Sequence, residues 1–176
     1  MTPLVPARLE TGRLVLRMWR LDDRPAFALV NADPTVTEYV ARRPLNREES
    51  DAFVGRIEAS WLDRGYGLYA VESRASGDLL GFCGLSHHRA LPDEVEVGWR
   101  LARAAWGRGL ATEAAVVCRD LAFDALGLER LISITIEENV RSWRVMEKLG
   151  MQRWRTMLFE HWDLSIWAMT AADRAG

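Results

Sequence analysis

The stretch WRLARAAWGRGLATEA, residues 99–114, is where the reading turns. A strand pattern ends there, a short arginine-rich link follows, and Gly107 and Gly109 stand just before a long helical pattern. Glycines at such a place let the backbone approach a ligand closely. The free N–H groups of a first helical turn, together with the helix dipole, favour an anion. Arg103 and Arg108 add positive charge beside them. These residues therefore predict a phosphate or pyrophosphate site at Gly107 to Thr112. A P-loop would need GK[ST] after its glycines, and GRGLAT lacks it. The dinucleotide fingerprint matches Gly107 and Gly109 but meets Thr112 at its third glycine, with Glu137 available at the end of the next strand. An ordinary strand–helix turn, with glycines for packing, accounts for the same letters.

Working outward, residues 94–102 (EVEVGWRLA) alternate as a strand, with Glu94, Glu96 and Gly98 on one face and Val95, Val97, Trp99 and Leu101 on the other. After the turn, Leu110, Ala114, Val117, Cys118, Leu121 and Ala125 repeat at helical spacing from about Leu110 to Leu126. Glu113, Asp120 and Asp124 take the wet side, and Gly127 is the stop. Upstream, residues 13–19 read as a strand, and Asp22 and Asp23 cap a helix over about 24–31. A loop-rich stretch broken by Pro34 and Pro44 comes next. A helix over about 48–63 follows, with Ala52, Phe53, Ile57, Ser60 and Trp61 on one face. GLYAVESR and LLGFCGLS form a hairpin around ASGD. Downstream, RLISITI is a buried strand, and Asn139 to Gly150 is a short helix. Two strands close the chain, over about 151–155 and 161–169. Strands first, then a strand–helix–strand–helix–strand run, predict an α/β (α+β) fold. Its sheet is mixed, mostly antiparallel, of about six to seven strands, with helices on both faces. One domain over residues 8–170 is expected.

The totals narrow the classes. The chain has 176 residues, 49% hydrophobic and 27% charged, which suits one folded domain and excludes disorder or collagen. A formal net charge of -2 supplies no overall positive field for nucleic acid or anionic membrane. Cys83 and Cys118 are too few for a disulfide framework and form no CxxC, so a reduced, cytoplasmic protein is expected. No apolar run has signal-peptide length or approaches the ~20 residues of a membrane span. Lys148, the one lysine, reflects a bias toward arginine. A homodimer is expected only as the commonest closed assembly.

NVRSWRVMEKLGM, residues 139–151, decides among the readings of the glycine turn. Together the two segments resemble the GNAT superfamily of N-acetyltransferases. Its acyl-CoA signature Q/R-x-x-G-x-G/A is matched by Trp106 to Ala111, with Gly109 and Ala111 in place and Trp106 where Gln or Arg is common. A Trp before GRG followed by ATEA, N-x-x-S followed by EKLGM, and LETGRLVLR near the start resemble the Rim-type branch. That branch comprises ribosomal-protein N-terminal alanine acetyltransferases. The resemblance covers nearly the whole chain. It implies the GNAT fold, acetyl-CoA as acyl donor, and direct transfer to a primary amine, either a protein or peptide N-terminus or a small amine. Residues 24–64 would shape the acceptor site, although no motif there names a substrate.

Carried over residue by residue, the resemblance places the pyrophosphate on backbone N–H groups of Trp106, Gly107, Arg108, Gly109, Leu110 and Ala111, with the Thr112 hydroxyl nearby. The pantetheine arm would lie along Val97, Trp99 and Leu101 like an added strand. Asn139 would bond that arm and cap the short helix. Arg141 and Arg144 would reach the phosphates or simply remain solvated. Glu96 is the candidate base, with Glu94 on its face as substitute, and an N–H near Val97 is the oxyanion donor. Many family members place a Tyr acid seven residues after the Asn. Met146 stands there, so Ser142 is the candidate to hydrogen-bond the thiolate. His87 and His88 point opposite ways and lack a third metal ligand. Cys83 and Cys118 fit core faces rather than a nucleophile. No G-x-S-x-G or HExxH supports hydrolase chemistry. Trp61 or Trp106 would line an acceptor pocket or pack in the core. Two other functions stay open: a non-catalytic acyl-CoA-binding module, on the strength of Met146, and a nucleotide-binding oxidoreductase, on that of GRG.

Overall fold

Alternating segments in the first half of the chain pair into an antiparallel meander, and the glycine-led helix then crosses over to a parallel neighbour. The computed structural model describes residues 4–175. In chain order its main elements are β1 (Arg8–Glu10), β2 (Leu14–Arg17), α1 (Asp23–Ala32), α2 (Pro34–Thr37), α3 (Arg47–Arg64), β3 (Leu68–Ser73), β4 (Leu79–His88) and β5 (Leu91–Leu101). They continue with α4 (Leu110–Asp124), β6 (Arg130–Ile136), α5 (Val140–Lys148), β7 (Gln152–Phe159) and β8 (Trp162–Thr170). One sheet takes all eight strands in the order β1-β2-β3-β4-β5-β6-β8-β7. The expectation of six to seven strands thus falls short. Three residues of β1, paired only with β2, are too few to show a period. All pairings are antiparallel except β5 with β6.

The two sheet faces follow from alternation. Phe82 packs against Phe27 of α1 and Phe53 of α3, at ring separations of 6.0 and 5.5 Å. Its neighbour Cys83 points the opposite way, to Cys118 of α4, and both cysteines are free and fully buried. Helices therefore cover both faces. On α3 the buried stripe is Ser50, Val54, Ile57 and Trp61. Ala52 is exposed, which rotates the face from the expected one. The helix starts at a capping box: the Asn46 side chain accepts from the Glu49 N–H at 2.9 Å, and Glu49 accepts from the Asn46 N–H at 2.9 Å.

Asp22 makes no cap to α1. Asp23 instead takes both Arg17 Nη atoms at 2.8 Å and the Arg20 N–H at 2.7 Å, while Arg17 Nε donates to Glu72 at 2.8 Å. This buried bidentate pair pins the start of α1 to β2 and β3. Burial alone would raise the Asp23 pKa, but the bonds from Arg17 and Arg20 prevail and hold it below the ordinary carboxylate value. Its contribution is therefore present above the ordinary carboxylate pKa and is lost as pH falls through the folded value. Replacing Arg17 by Met removes the buried cation from Asp23 and leaves Glu72 only the more distant Arg20 guanidinium at 3.7 Å, and should cost about 3–5 kcal/mol in urea unfolding at neutral pH. A loss under about 1 kcal/mol would mean that Asp23 and Glu72 find other partners.

Candidate active site

The site exists because β5 and β6 part. They share one ladder position, Glu96 with Ile132. Two side-chain bonds close the last contact. The Ser133 hydroxyl donates to the Val97 carbonyl at 2.9 Å, and the Ile134 N–H donates to Glu96 Oε1 at 3.3 Å. Backbone parity settles which β5 groups face the opening. Leu85, opposite Val97, sends its N–H to Gly67 on the far side of β4, whereas the Ala102 N–H donates to Leu80 of β4. Hence Glu96, Gly98 and Arg100 bond β4, while the main-chain groups of Val97, Trp99 and Leu101 face the gap. The Leu101 carbonyl is taken by Trp106 Nε1 at 2.7 Å. Trp99 is the first β5 residue past the ladder whose amide and carbonyl face no strand.

Two cavities of about 660 Å³ each meet across this gap and share Tyr39, Trp99, Arg100, Asn139 and Ser142. One lies over the glycine turn. Gly107 and Gly109 have φ of 72° and 75°, a left-handed backbone that disfavours any side chain. Gly109 is the N-cap of α4 without a side-chain cap, leaving the amides of Leu110, Ala111 and Thr112 for a ligand. Arg103, Arg141, Arg144 and Lys148 line this cavity with Arg100, and among the described residues no carboxylate does. The Arg141 guanidinium lies 4.7 Å over the Trp106 ring. Arg108 is placed differently from expectation, since it does not line the cavity. Its carbonyl accepts from Arg13 Nη1 at 2.8 Å. Arg13 in turn bonds Glu113 through Nε at 2.6 Å, and Thr11 bonds the same carboxylate at 2.5 Å. Glu113 is therefore an anchor rather than a wet-face residue. Sequence spacing gives no sign of this clamp, because its partners lie about a hundred residues apart.

The second cavity lies over the Glu96 face of β5. Burial drives the Glu96 pKa up to about 7, against the Ile134 N–H, which lowers it. Its side chain is part-buried and lines the cleft. Glu94 is not beside it. It pairs with Arg130 at the surface and lines neither cavity. Asn139 Nδ2 donates to Ser142 Oγ at 3.0 Å, which leaves the serine O–H to point elsewhere. Met146 is buried and lines the cleft. Both histidines reach this cavity. The Pro92 carbonyl lies 2.8 Å from His87 Nδ1, so that nitrogen is the donor, and Nε2 accepts from the Tyr66 hydroxyl at 2.8 Å. Burial lowers the His88 pKa. Burial likewise pushes the Cys83 thiol up, away from nucleophilic use. Trp61 is core, packed on Tyr69 at 4.8 Å.

Comparison with known proteins gives the family and the fold. An acetyltransferase (GNAT) domain model matches residues 13–152. The chain is 32% identical over 157 residues to the uncharacterised protein YkkB of Bacillus subtilis (strain 168), covering 85% of this chain and 88% of that protein. A crystal structure of an acetyltransferase from Agrobacterium tumefaciens str. C58 superposes with a TM-score of 0.83 at 30% identity, covering 94% of each chain. A Vibrio cholerae protein described as a candidate ribosomal-protein-serine acetyltransferase shares the fold, with a TM-score of 0.74 at 19% identity over 97% of this chain and 99% of its own.

The carboxylate-free cavity over the turn predicts salt-sensitive binding of coenzyme A. Its affinity should fall as ionic strength rises, and Lys148→Met should weaken it about fivefold, read by titration calorimetry. Affinity indifferent to both salt and Lys148 would remove the cation cluster from binding.

Proposed function

Because the chain belongs to the GNAT acetyltransferase family, we propose that it moves the acetyl group of acetyl-CoA directly to a primary amine, on a protein or peptide N-terminus or on a small molecule. One observation carries this reading most. A carboxyl held near neutrality stands at the point where β5 and β6 part, between an anion-binding turn and a second cavity. A general base works best with a pKa close to the operating pH. A surface carboxylate of ordinary pKa could not drive an ammonium toward its free amine as well.

In the proposed reaction the pyrophosphate rests on the amides from Trp106 to Ala111 beside Thr112, and the pantetheine arm extends along the β5 edge at Val97, Trp99 and Leu101 toward Asn139, with the Trp99 groups open to it. Glu96 takes a proton from the acceptor ammonium. The amine attacks the thioester carbonyl, a C–N bond forms, and the oxyanion is met by an N–H of the open β5 edge. Collapse breaks the C–S bond. Ser142, whose oxygen already accepts from Asn139, donates its hydrogen bond to the departing thiolate. The proton held by Glu96 then returns to solvent or sulfur. Met146 supplies no acid, and a thiolate leaves without strong acid help.

Met146 is also the ground for the alternative, a non-catalytic coenzyme-binding module. The desolvated Glu96 favours the enzyme. Family membership displaces the nucleotide-binding oxidoreductase reading of GRG. The motifs shared with the Rim-type branch support an N-terminal amine as acceptor. Two buried free thiols suit the reducing cytoplasm, and among the described residues no helix is long and apolar enough to cross a membrane.

Thiol release from acetyl-CoA with a panel of peptides and small amines tests the activity. Coenzyme binding with no release from any acceptor would favour the module. Since Glu96 must be deprotonated to act, kcat should rise as pH passes through about 7. Glu96→Gln should lower kcat roughly 10²- to 10⁴-fold with coenzyme affinity little changed. A variant with an unaltered rate would dismiss Glu96 as base, and full activity in Ser142→Ala would dismiss the serine from the sulfur.

A further inference from the structure

Arg100 sits four residues after Glu96 on the same face of β5, with Gly98 between them. Among the described residues its guanidinium makes no ion pair. Nη1 donates to Asn31 Oδ1 at 2.7 Å, and Nε is buried without a partner. Asn31 is itself fully buried and held by Ser50 at 2.9 Å, so the contact is built into the α1–α3 packing. The Phe53 and Phe82 rings lie 5.1 and 5.4 Å from the guanidinium carbon. Desolvation pulls the Arg100 pKa down to about 10, and the group remains a cation at neutral pH. A desolvated cation held only by a neutral amide and two rings is costly unless an anion joins it.

Both cavities open onto Arg100. On the acceptor side the wall is basic, with Arg56 and Arg64 besides Arg100, while the charge of Arg89 is met within the wall by Glu160. Of its two carboxylates, Glu160 is paired with Arg89 at 3.0 Å, which leaves Glu96. Such a wall repels an acceptor with several ammonium groups. At Gly98 an added Cβ would meet nothing nearer than Glu96 Oε1 at 4.0 Å, so the floor between acid and cation is open.

We propose that Arg100 binds a carboxylate on the acceptor, so that the substrate is an amine carrying a carboxylate several bonds away. Its amine lies at Glu96 and its carboxylate lies at the guanidinium. Strand rise sets the two Cα atoms about 13 Å apart, too far for the adjacent groups of an α-amino acid. The planar fork of Arg suits a carboxylate. The chemistry is met equally by an acidic residue just inside a peptide N-terminus and by a free ω-amino carboxylate. The assignment rests on the acetyl-transfer reading.

The test uses matched acceptor pairs with wild type, Arg100→Gln and Arg100→Lys. One arm compares peptides with Asp or Asn at the second position, and the other compares 6-aminohexanoate with hexylamine. Wild type should favour the acidic member of at least one pair by about 10- to 100-fold in kcat/KM, and the arm that responds identifies the source. Arg100→Gln should abolish the preference and Arg100→Lys retain part of it, with the loss of preference exceeding any loss of coenzyme A affinity, since the guanidinium also borders the coenzyme cavity. The same pairs titrated into the coenzyme A complex report acceptor binding without turnover. Arg100-dependent binding of the acids with no acetylation would sink the transfer reading and leave this site standing. A preference absent in wild type or untouched in both variants would overturn the proposal. So would a tenfold loss of coenzyme affinity in Arg100→Gln with acceptor preference intact, which would give the guanidinium to the coenzyme. If Arg100→Gln fails to fold, the Lys variant and the wild-type preference still decide.

Discussion

Everything that makes this sheet chemically useful depends on the single ladder position shared by β5 and β6. A parallel pair that stayed in register would bond every amide along Val97, Trp99 and Leu101 and close the middle of the sheet. Instead the strands touch once and diverge, and the exposed polar groups must be met some other way. Ser133 and Glu96 meet two of them at the apex. Trp106 meets a third at the far end. What lies between is an open main-chain edge of the kind an extended ligand can pair with. The gap is thus a managed feature. Its ends are capped and its middle is not.

The cap at the far end explains a departure in the signature. Trp106 takes the position where Gln or Arg is common, and its indole N–H does the bonding to Leu101 while its ring carries Arg141. The glycine turn is held from the other side by Arg13, which grips the Arg108 carbonyl and Glu113 at once. Two left-handed glycines alone would leave this loop with more conformational freedom than other residues allow. Clamped at both ends, it presents amides already aimed, so that the proposed binding of the coenzyme's pyrophosphate would cost less ordering entropy.

Much of this was legible in the letters. Near-strict alternation over residues 94–102 placed Glu96 and Val97 on opposite faces, and the glycines before Leu110 located the turn that opens α4. The strand β1 was not legible, since three residues carry no period. Nor was the α3 stripe, where Ala52 and Ser50 exchange places because small residues of either kind fit both environments. The larger omissions were tertiary. Arg17 finds Glu72 across 55 positions and Arg13 finds Glu113 across 100, and no local pattern announces either pair. The pKa of Glu96 is a tertiary property too, because it depends on what β6 and the cleft walls do to its hydration. Arg100 stood in the quoted stretch throughout, but its isolation from carboxylates appears only when α1 and α3 are packed against it.

Glu96 shows how one constraint serves structure and chemistry together. A carboxylate at the apex is needed to accept the Ile134 N–H that the divergence leaves over, and that bond by itself favours the charged form. The same place is desolvated, which favours the neutral form, and desolvation prevails. An acid so balanced exchanges its proton near neutral pH with little bias either way. Strengthening the hydrogen bond would make a poorer base, and deepening the burial would keep the acid protonated. The strand divergence therefore sets the proton chemistry as well as the shape. In the proposed reaction the missing tyrosine acid at Met146 is tolerable for the same reason, because the proton that matters there is the one leaving the amine.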